Sequence, residues 1–268
     1  LQAASLCFSS FQTSSFPPIV YTHIAMAEQK ENVSFKVRYF GSPGRASPIR
    51  VTLAVTGFAF TDEFVTGEEL KADQAAGKSI TLPELVVYDK SGKEVKTVCQ
   101  SLAILRYIGA LSGLYGDNAL ERLQIDEIVA LVPDATASVY SKKPEERAQI
   151  AKDGRLAQIL KLLERRMEEN EQAGNKKGYA VGDKLSIADL QLMVVLFALS
   201  TGFLEGIPND ILTSYPRLKK LVEMVGAIES IKAFLASFQQ RLADAKDDAK
   251  KASVKSVTYP GKACPDIA

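Results

Sequence analysis

The chain has 268 residues, enough for one large or two ordinary domains with a full hydrophobic core. Its 33 basic residues against 32 acidic ones leave almost no net charge, which argues against a nucleic-acid binder and its basic face. The single histidine, His23, and three widely separated cysteines, Cys7, Cys99 and Cys264, argue against a Ser-His-Asp or Cys-His nucleophile, a clustered metal site and a disulfide framework. Catalysis, if any, must rest on tyrosine, serine, arginine, carboxylates or a bound co-substrate, no metal is expected, and a reducing compartment fits the cysteines.

Residues 1–25 hold no Asp, Glu, Lys or Arg, are rich in serine and show no sustained period. A plastid transit peptide is one reading, although the arginines of such peptides are missing. A translated leader ahead of Met26-Ala27-Glu28 is the other, and residues 1–30 are set aside as a leader or targeting remnant without order. Residues 35–40 read as a strand closed by Gly41-Ser42-Pro43-Gly44. A helix follows over 45–57, with Pro48 in its first turn and Gly57 as the left-handed stop. Residues 58–65 read as a second strand, which completes a β-α-β unit. The stretch 67–79 is polar and poorly periodic.

Leu82-Pro83 leads into an apolar strand, Leu85 to Tyr88. Proline cannot donate to a sheet ladder, so it marks a strand start, an edge or a turn. Were the Leu82–Pro83 bond cis, the N–H and C=O of Leu82 would both point outward, free to pair with a peptide-like ligand. Asp89 to Lys93 supplies the turn residues of a hairpin whose second strand runs over 94–98. From Gln100-Ser101 the period becomes helical, with Leu102, Leu105 and Ile108 on one face and Ser112-Gly113 as the stop. A helix N-terminus offers unpaired N–H groups and partial positive charge, and Gln100 and Ser101 would add donors, so this end can receive a carboxylate. As an isolated pair they would be read as an ordinary N-cap.

After a linker at 114–118 the pattern is helical throughout. Residues 119–141 form one long pattern interrupted by Pro133, which is expected to kink it. Residues 145–172 carry Leu156, Leu160, Leu163 and Met167 on one stripe. Ser186 and Asp189 have capping-box spacing, with Leu185 and Leu190 placed as a hydrophobic staple. The run 192–199 is apolar on all sides, the buried centre of a second domain, yet with Asp189 and Gln191 in its first turns it is too short and polar to span a bilayer. Two closing helices begin near Tyr215-Pro216 and Ile231. Beyond Arg241 the pattern fades, so the tail is expected to be mobile or an irregular extension.

Three stretches in order resemble the cytosolic glutathione transferases of the Tyr type, most closely the sigma-like group. They are Tyr39-Phe40 followed by Gly44-Arg45-Ala46-x-Pro48-Ile49-Arg50; Leu82-Pro83, strand, turn, strand and Gln100-Ser101-x-Ala103-Ile104-x-Arg106-Tyr107; and Leu185-Ser186-x-x-Asp189-Leu190. The likeness spans roughly 35–235. It implies an α/β plus all-α fold: a thioredoxin-like, glutathione-binding domain at 31–113, a helical bundle at 119–241 and a tail at 242–268.

The resemblance implies the following roles. Tyr39 hydrogen-bonds the glutathione sulfur and Arg45 supports it. Leu82, ahead of a cis Pro83, pairs with the cysteinyl backbone, and Gln100 and Ser101 hold the γ-glutamyl carboxylate. A thiol is mostly protonated at neutral pH and only the thiolate is a good nucleophile, so a donor hydroxyl that stabilises the anion lowers its pKa. Ser42 is a competing donor, because other branches of the family use a hydroxyl in this turn. Lys71 or Lys78 stands for the lysine that contacts the glycyl end, where the family also has a tryptophan; this chain has no Trp. Asp134 is the nearest match to an acidic residue that reaches the partner subunit's glutathione in a homodimer.

The implied activity is conjugation of glutathione to small hydrophobic electrophiles seated against Phe40 and the helical domain, a cytoplasmic detoxification enzyme with glutathione as co-substrate. Two alternatives stay open: a non-catalytic binding or scaffold protein that keeps the fold, and a glutathione-dependent isomerase of the prostaglandin D synthase type. Retention of Tyr39, Arg45, Gln100 and Ser101 together favours the enzyme.

Overall fold

Alternating burial builds the central strand, β1 (Val33–Tyr39): Phe35, Val37 and Tyr39 turn inward while the residues between them are half-exposed. A computed structural model describes residues 32–247 and 251–261 of the chain; His23, Cys7, Cys264 and the leader expected over 1–30 lie outside them. β1 continues into α1 (Ser47–Thr56), which has Pro48 in its first turn and Gly57 at φ +72° as its left-handed stop, and returns as β2 (Phe60–Phe64) parallel to β1. The hairpin expected after Pro83 is β3 (Glu84–Asp89) and β4 (Glu94–Cys99). Leu85, Val86 and Val87 are all buried, which is why this strand reads as an unbroken apolar run instead of an alternation. The sheet order is β4-β3-β1-β2, with β3 antiparallel to β1, and a further strand described below joins beyond β2.

The polar stretch after β2 is a helix, α2 (Gly67–Ala75), with none of its residues buried. Local chemistry forms it rather than amphipathicity: Thr66 and Glu69 close a reciprocal capping box. Ion pairs dock it, because Arg38 gathers Asp73 of α2 together with Glu63 of β2 and Glu84 of β3.

The helical domain begins after α3 (Ser101–Ser112) and comprises α4 (Ala119–Tyr140), α5 (Pro144–Lys152), α6 (Arg155–Gln172), α7 (Ile187–Ser200), α8 (Pro216–Gly226) and α9 (Glu229–Asp244). The expected helix over 145–172 is two helices, broken at Gly154. A Cβ there would stand 2.7 Å from Ile150 Cα, so glycine lets the chain fold back on itself. The stripe Leu156, Leu160, Leu163 and Met167 is buried along α6. At the centre, α7 packs against α1, α3, α4 and α8. The two domains meet where Ile187 comes so close to Gly109 of α3 that a Cβ there would lie 2.7 Å away.

α4 runs through Pro133 as one helix. Proline has no N–H for the carbonyl four residues back, which would orphan Val129 in the core. Gln191 of α7 supplies the missing donor, its Nε2 reaching Val129 O at 3.3 Å. The capping box at α7 forms as expected, but its acid does more than cap. Asp189 is fully buried and accepts from the Ser186 N–H and hydroxyl, 2.7 Å each, and from Ala180 N–H at 2.6 Å.

The tail departs from the irregular extension expected beyond Arg241. α9 continues to Asp244, and residues Ser256–Tyr259 return as β5, antiparallel on the free edge of β2. Tyr259 stacks on Phe60 with centroids 4.6 Å apart, and both rings abut Phe234 of α9. A strand of four residues is too short for its alternation to stand out in the sequence.

Two outcomes follow from these contacts. Gln191→Leu leaves Val129 O without its donor and is expected to lower stability by about 1–3 kcal/mol in denaturant titration. A stability equal to wild type would show that Pro133 needs no such support. For Asp189, burial pushes the carboxyl up to about 6 from 3.8, working against its hydrogen bonds. The folded chain therefore holds that proton more tightly than the unfolded one, so its contribution is greatest below pH 3.8 and is lost as pH rises through about 6. Denaturation of wild type and Asp189→Asn across this window is expected to show wild type losing ground as pH rises; a constant difference would contradict it.

Candidate active site

The sheet register brings the sequence-selected residues to one end of the domain. Arg38 pairs with Glu84, and Glu84 pairs with Cys99 on its other side. One step along, Pro83 therefore lies between Tyr39 at the end of β1 and Gln100 at the start of α3. Leu82, buried ahead of a cis bond to Pro83, is the next residue along.

Tyr39 is held on all sides. Its ring is 7% exposed, meets Phe40 edge-on at 5.4 Å and carries the Arg50 guanidinium 5.5 Å from its centroid. Its phenol oxygen accepts the backbone N–H of Arg45 at 3.2 Å. A phenol that accepts in this way keeps its own hydrogen to donate outward, the polarity needed to face an anion. The turn can close on the phenol only because residue 44 is glycine: at φ +62° a Cβ would stand 2.6 Å from the oxygen.

Arg45 therefore reaches Tyr39 through its main chain, and its side chain is exposed. The arginine against the ring is Arg50, fully buried, which donates to the carbonyls of Ser42 at 2.8 Å and Phe40 at 3.3 Å and so fixes the turn. Ser42 is exposed in that turn.

Gln100 is the one non-glycine residue with positive φ among the described residues, at φ +82° and ψ +101°. Such a conformation costs about 1–3 kcal/mol and persists where surrounding structure enforces it, often at ligand sites. The residue is exposed, and its side chain makes no capping bond to α3. The amide is thus left to act beside the unpaired N–H groups of the helix start and the half-buried Ser101.

Other expected positions lie apart. Lys71 sits on the exposed surface of α2 with Lys78 just beyond it, and Asp134 is exposed on α4, 3.4 Å from Arg155. Among the described residues no group of three or more His, Cys, Asp or Glu is placed to hold a metal. A cavity of about 930 Å³ between α4, α6 and residues 180–186 includes none of these side chains.

Gly44 and Arg50 stand in the motif that carried the resemblance, but neither was given a role there, and Tyr140 was not selected at all. Tyr140 closes α4 and is 48% exposed, and its phenol is pushed up by burial and by neighbouring Tyr39. Its carbonyl and that of Val139 are held by Arg147. Sequence spacing gives no means of joining positions 39 and 140.

Comparisons with known proteins give the family. Residues 134–238 match the family described as glutathione S-transferase, C-terminal domain. The chain is 33% identical over 192 residues to the glutathione S-transferase class-mu 28 kDa isozyme of Schistosoma japonicum, covering 69% of this chain and 88% of that protein. It is 28% identical over 226 residues to human glutathione S-transferase A3, covering 81% and 96%. Among solved structures it is similar to the prostaglandin synthase D of Nilaparvata lugens, with a TM-score of 0.58 at 27% identity over 76% of this chain and 97% of that one.

Gly44→Ala tests the contact on which the phenol depends. The added methyl meets the Tyr39 oxygen and strains the turn, so turnover is expected to fall at least tenfold, with the fold retained by circular dichroism. Unchanged turnover would show that the Tyr39 oxygen is not used.

Proposed function

The chain belongs to the glutathione S-transferase family, and we propose that it conjugates the glutathione thiolate at Tyr39 to small hydrophobic electrophiles. One observation supports the assignment of Tyr39: its oxygen is occupied as an acceptor by the Arg45 N–H, which leaves its own hydrogen to donate, and the register sets Tyr39 beside Pro83 and Gln100.

In this reading the γ-glutamyl carboxylate meets the α3 N-terminus, the Gln100 amide and the Ser101 hydroxyl, where charge and donors already coincide. Leu82 pairs with the cysteinyl backbone. The sulfur then lies at Tyr39, whose O–H hydrogen-bonds the thiolate after its proton has gone to solvent. The thiolate attacks an electrophilic carbon, and the bond to a leaving group breaks or an unsaturated carbon takes up a proton. Arg45 acts through its backbone N–H. Lys71 is the candidate for the glycyl end. Phe40, 36% exposed, and Tyr140 from the helical domain would form the walls for an apolar electrophile.

The finer placement, a sigma-like transferase working as a homodimer with Asp134 directed to the partner's glutathione, rests on the motif around Tyr39-Phe40 and Gly44-Arg45-Ala46. A cytoplasmic setting suits a glutathione-using enzyme whose described cysteine, Cys99, is unpaired. The similarity to a protein named prostaglandin synthase D favours a second reading, glutathione-dependent isomerisation, which uses the same thiolate and differs in the electrophile.

Tyr39→Phe removes the donor and is expected to lower conjugation by about 10²-fold or more. Ser42→Ala, run beside it, is expected to keep most activity. The reverse pattern would move the donor role to Ser42. Gln100→Ala is expected to raise KM for glutathione with little change in kcat, and a normal KM would remove the α3 N-terminus from the site.

A further inference from the structure

Two arginines converge on one aspartate behind the Tyr39 turn. Asp62, in the middle of β2, is fully buried; Arg50 of α1 is fully buried and Arg241 of α9 is 5% exposed. Arg50 Nε donates to Asp62 Oδ1 at 2.9 Å, and Arg241 Nη1 donates to Oδ2 at 2.5 Å. Arg241 spends its other donors on main-chain carbonyls, Asp62 O at 2.8 Å, Lys255 O at 3.1 Å and Val254 O at 2.7 Å. Arg50 spends its own on Ser42 O and Phe40 O, the two carbonyls of the catalytic turn.

Among the described residues, two cations against one anion leave one positive charge uncompensated in a cluster that is almost wholly buried. The remaining neighbours do not cancel it. Arg50 faces Asp62, Arg241 and the Tyr39 ring, with Phe64 and Phe238 as apolar walls. Lys255 contributes only its carbonyl to the cluster, since its ammonium pairs with Glu69.

We propose that Arg241 is a positioning residue of the thiolate site: acting through Asp62 and Arg50, it keeps an excess positive charge behind the Tyr39 ring, where it favours an anion on the ring's far side. The neutral Arg50–Asp62 pair alone would hold the turn but supply little field. The second cation comes from the segment that anchors β5, so the returning tail is part of the electrostatics of the site. Burial explains why the field is felt at the sulfur, since low effective dielectric leaves it poorly screened.

The inference rests on the Tyr39 reading, and one experiment separates the two. The thiol pKa of bound glutathione is titrated by thiolate absorbance in the full-length wild type, Arg241→Met, Asp62→Asn and Tyr39→Phe. Arg241→Met removes the excess cation at similar volume and is expected to raise the bound thiol pKa by about one pH unit, with conjugation below that pKa falling about tenfold and KM for glutathione little changed. Asp62→Asn, isosteric, removes the anion and is expected to move the pKa the other way, which a merely structural role would not do.

If one variant fails to fold, the sign of the other decides. An unchanged pKa in a folded Arg241→Met or Asp62→Asn, or a shift of the same sign in both, overturns the proposal. If Tyr39→Phe raises the pKa while the cluster variants do not, the Tyr39 reading stands and the inference alone fails. If the cluster variants shift in opposite senses while Tyr39→Phe does not, the inference stands with another donor at the sulfur.

Discussion

A carboxylate cannot be left bare in a protein core, and Asp62 is wholly buried in the middle of a strand. Its compensation by Arg50 and Arg241 ties together three distant parts of the chain: the helix after the Tyr39 turn, the strand beside β1, and the last helix with its returning tail. Removing one partner of such a pair typically costs about 3–5 kcal/mol, because the survivor is left buried and uncompensated. Aromatic faces complete the enclosure: Arg241 lies 3.6 Å from the Phe64 ring centroid and Arg50 lies 4.8 Å from that of Phe238. The two domains and β5 share this cluster, so the position of the turn at residues 40–44 depends on contacts made more than a hundred residues away.

On that anchor rests the thiolate chemistry proposed for the site. Everything asked of the site is hydrogen-bond donation in fixed directions: a phenol whose oxygen is already occupied, a helix start with open N–H groups, and an amide held at positive φ. Each donor sits at the end of a regular element, where the element's own hydrogen bonds set the direction. In the proposed site Tyr140 of the helical domain would add an aromatic wall for an apolar electrophile.

Much of this was legible locally. The β-α-β unit, the hairpin after Leu82-Pro83 and the Ser186–Asp189 box each depend on neighbours within a few residues, and the capping box leaves a spacing that can be read directly. Tyr39 and Gln100 drew notice because they terminate elements, and the structure places both at one end of the sheet. Illegible features depend on contacts that local patterns do not encode. Arg50 could not be distinguished from a surface cation until Asp62 and Arg241 were seen around it. Gln191 has meaning only against the gap that Pro133 leaves at Val129. α2 was missed because a capping box and ion pairs, not an apolar stripe, hold it. β5 was missed because Tyr259 is a strand residue only when Phe60 lies beneath it.

The central claim is that the end of this sheet is a glutathione site coupled to thiolate chemistry. Titration calorimetry of glutathione into the full-length chain, beside a conjugation assay with a generic aryl halide, tests it most directly. The account predicts saturable binding together with turnover. An absence of binding at millimolar glutathione would contradict it, and would mean that the row formed by Tyr39, Pro83 and Gln100 serves some other purpose.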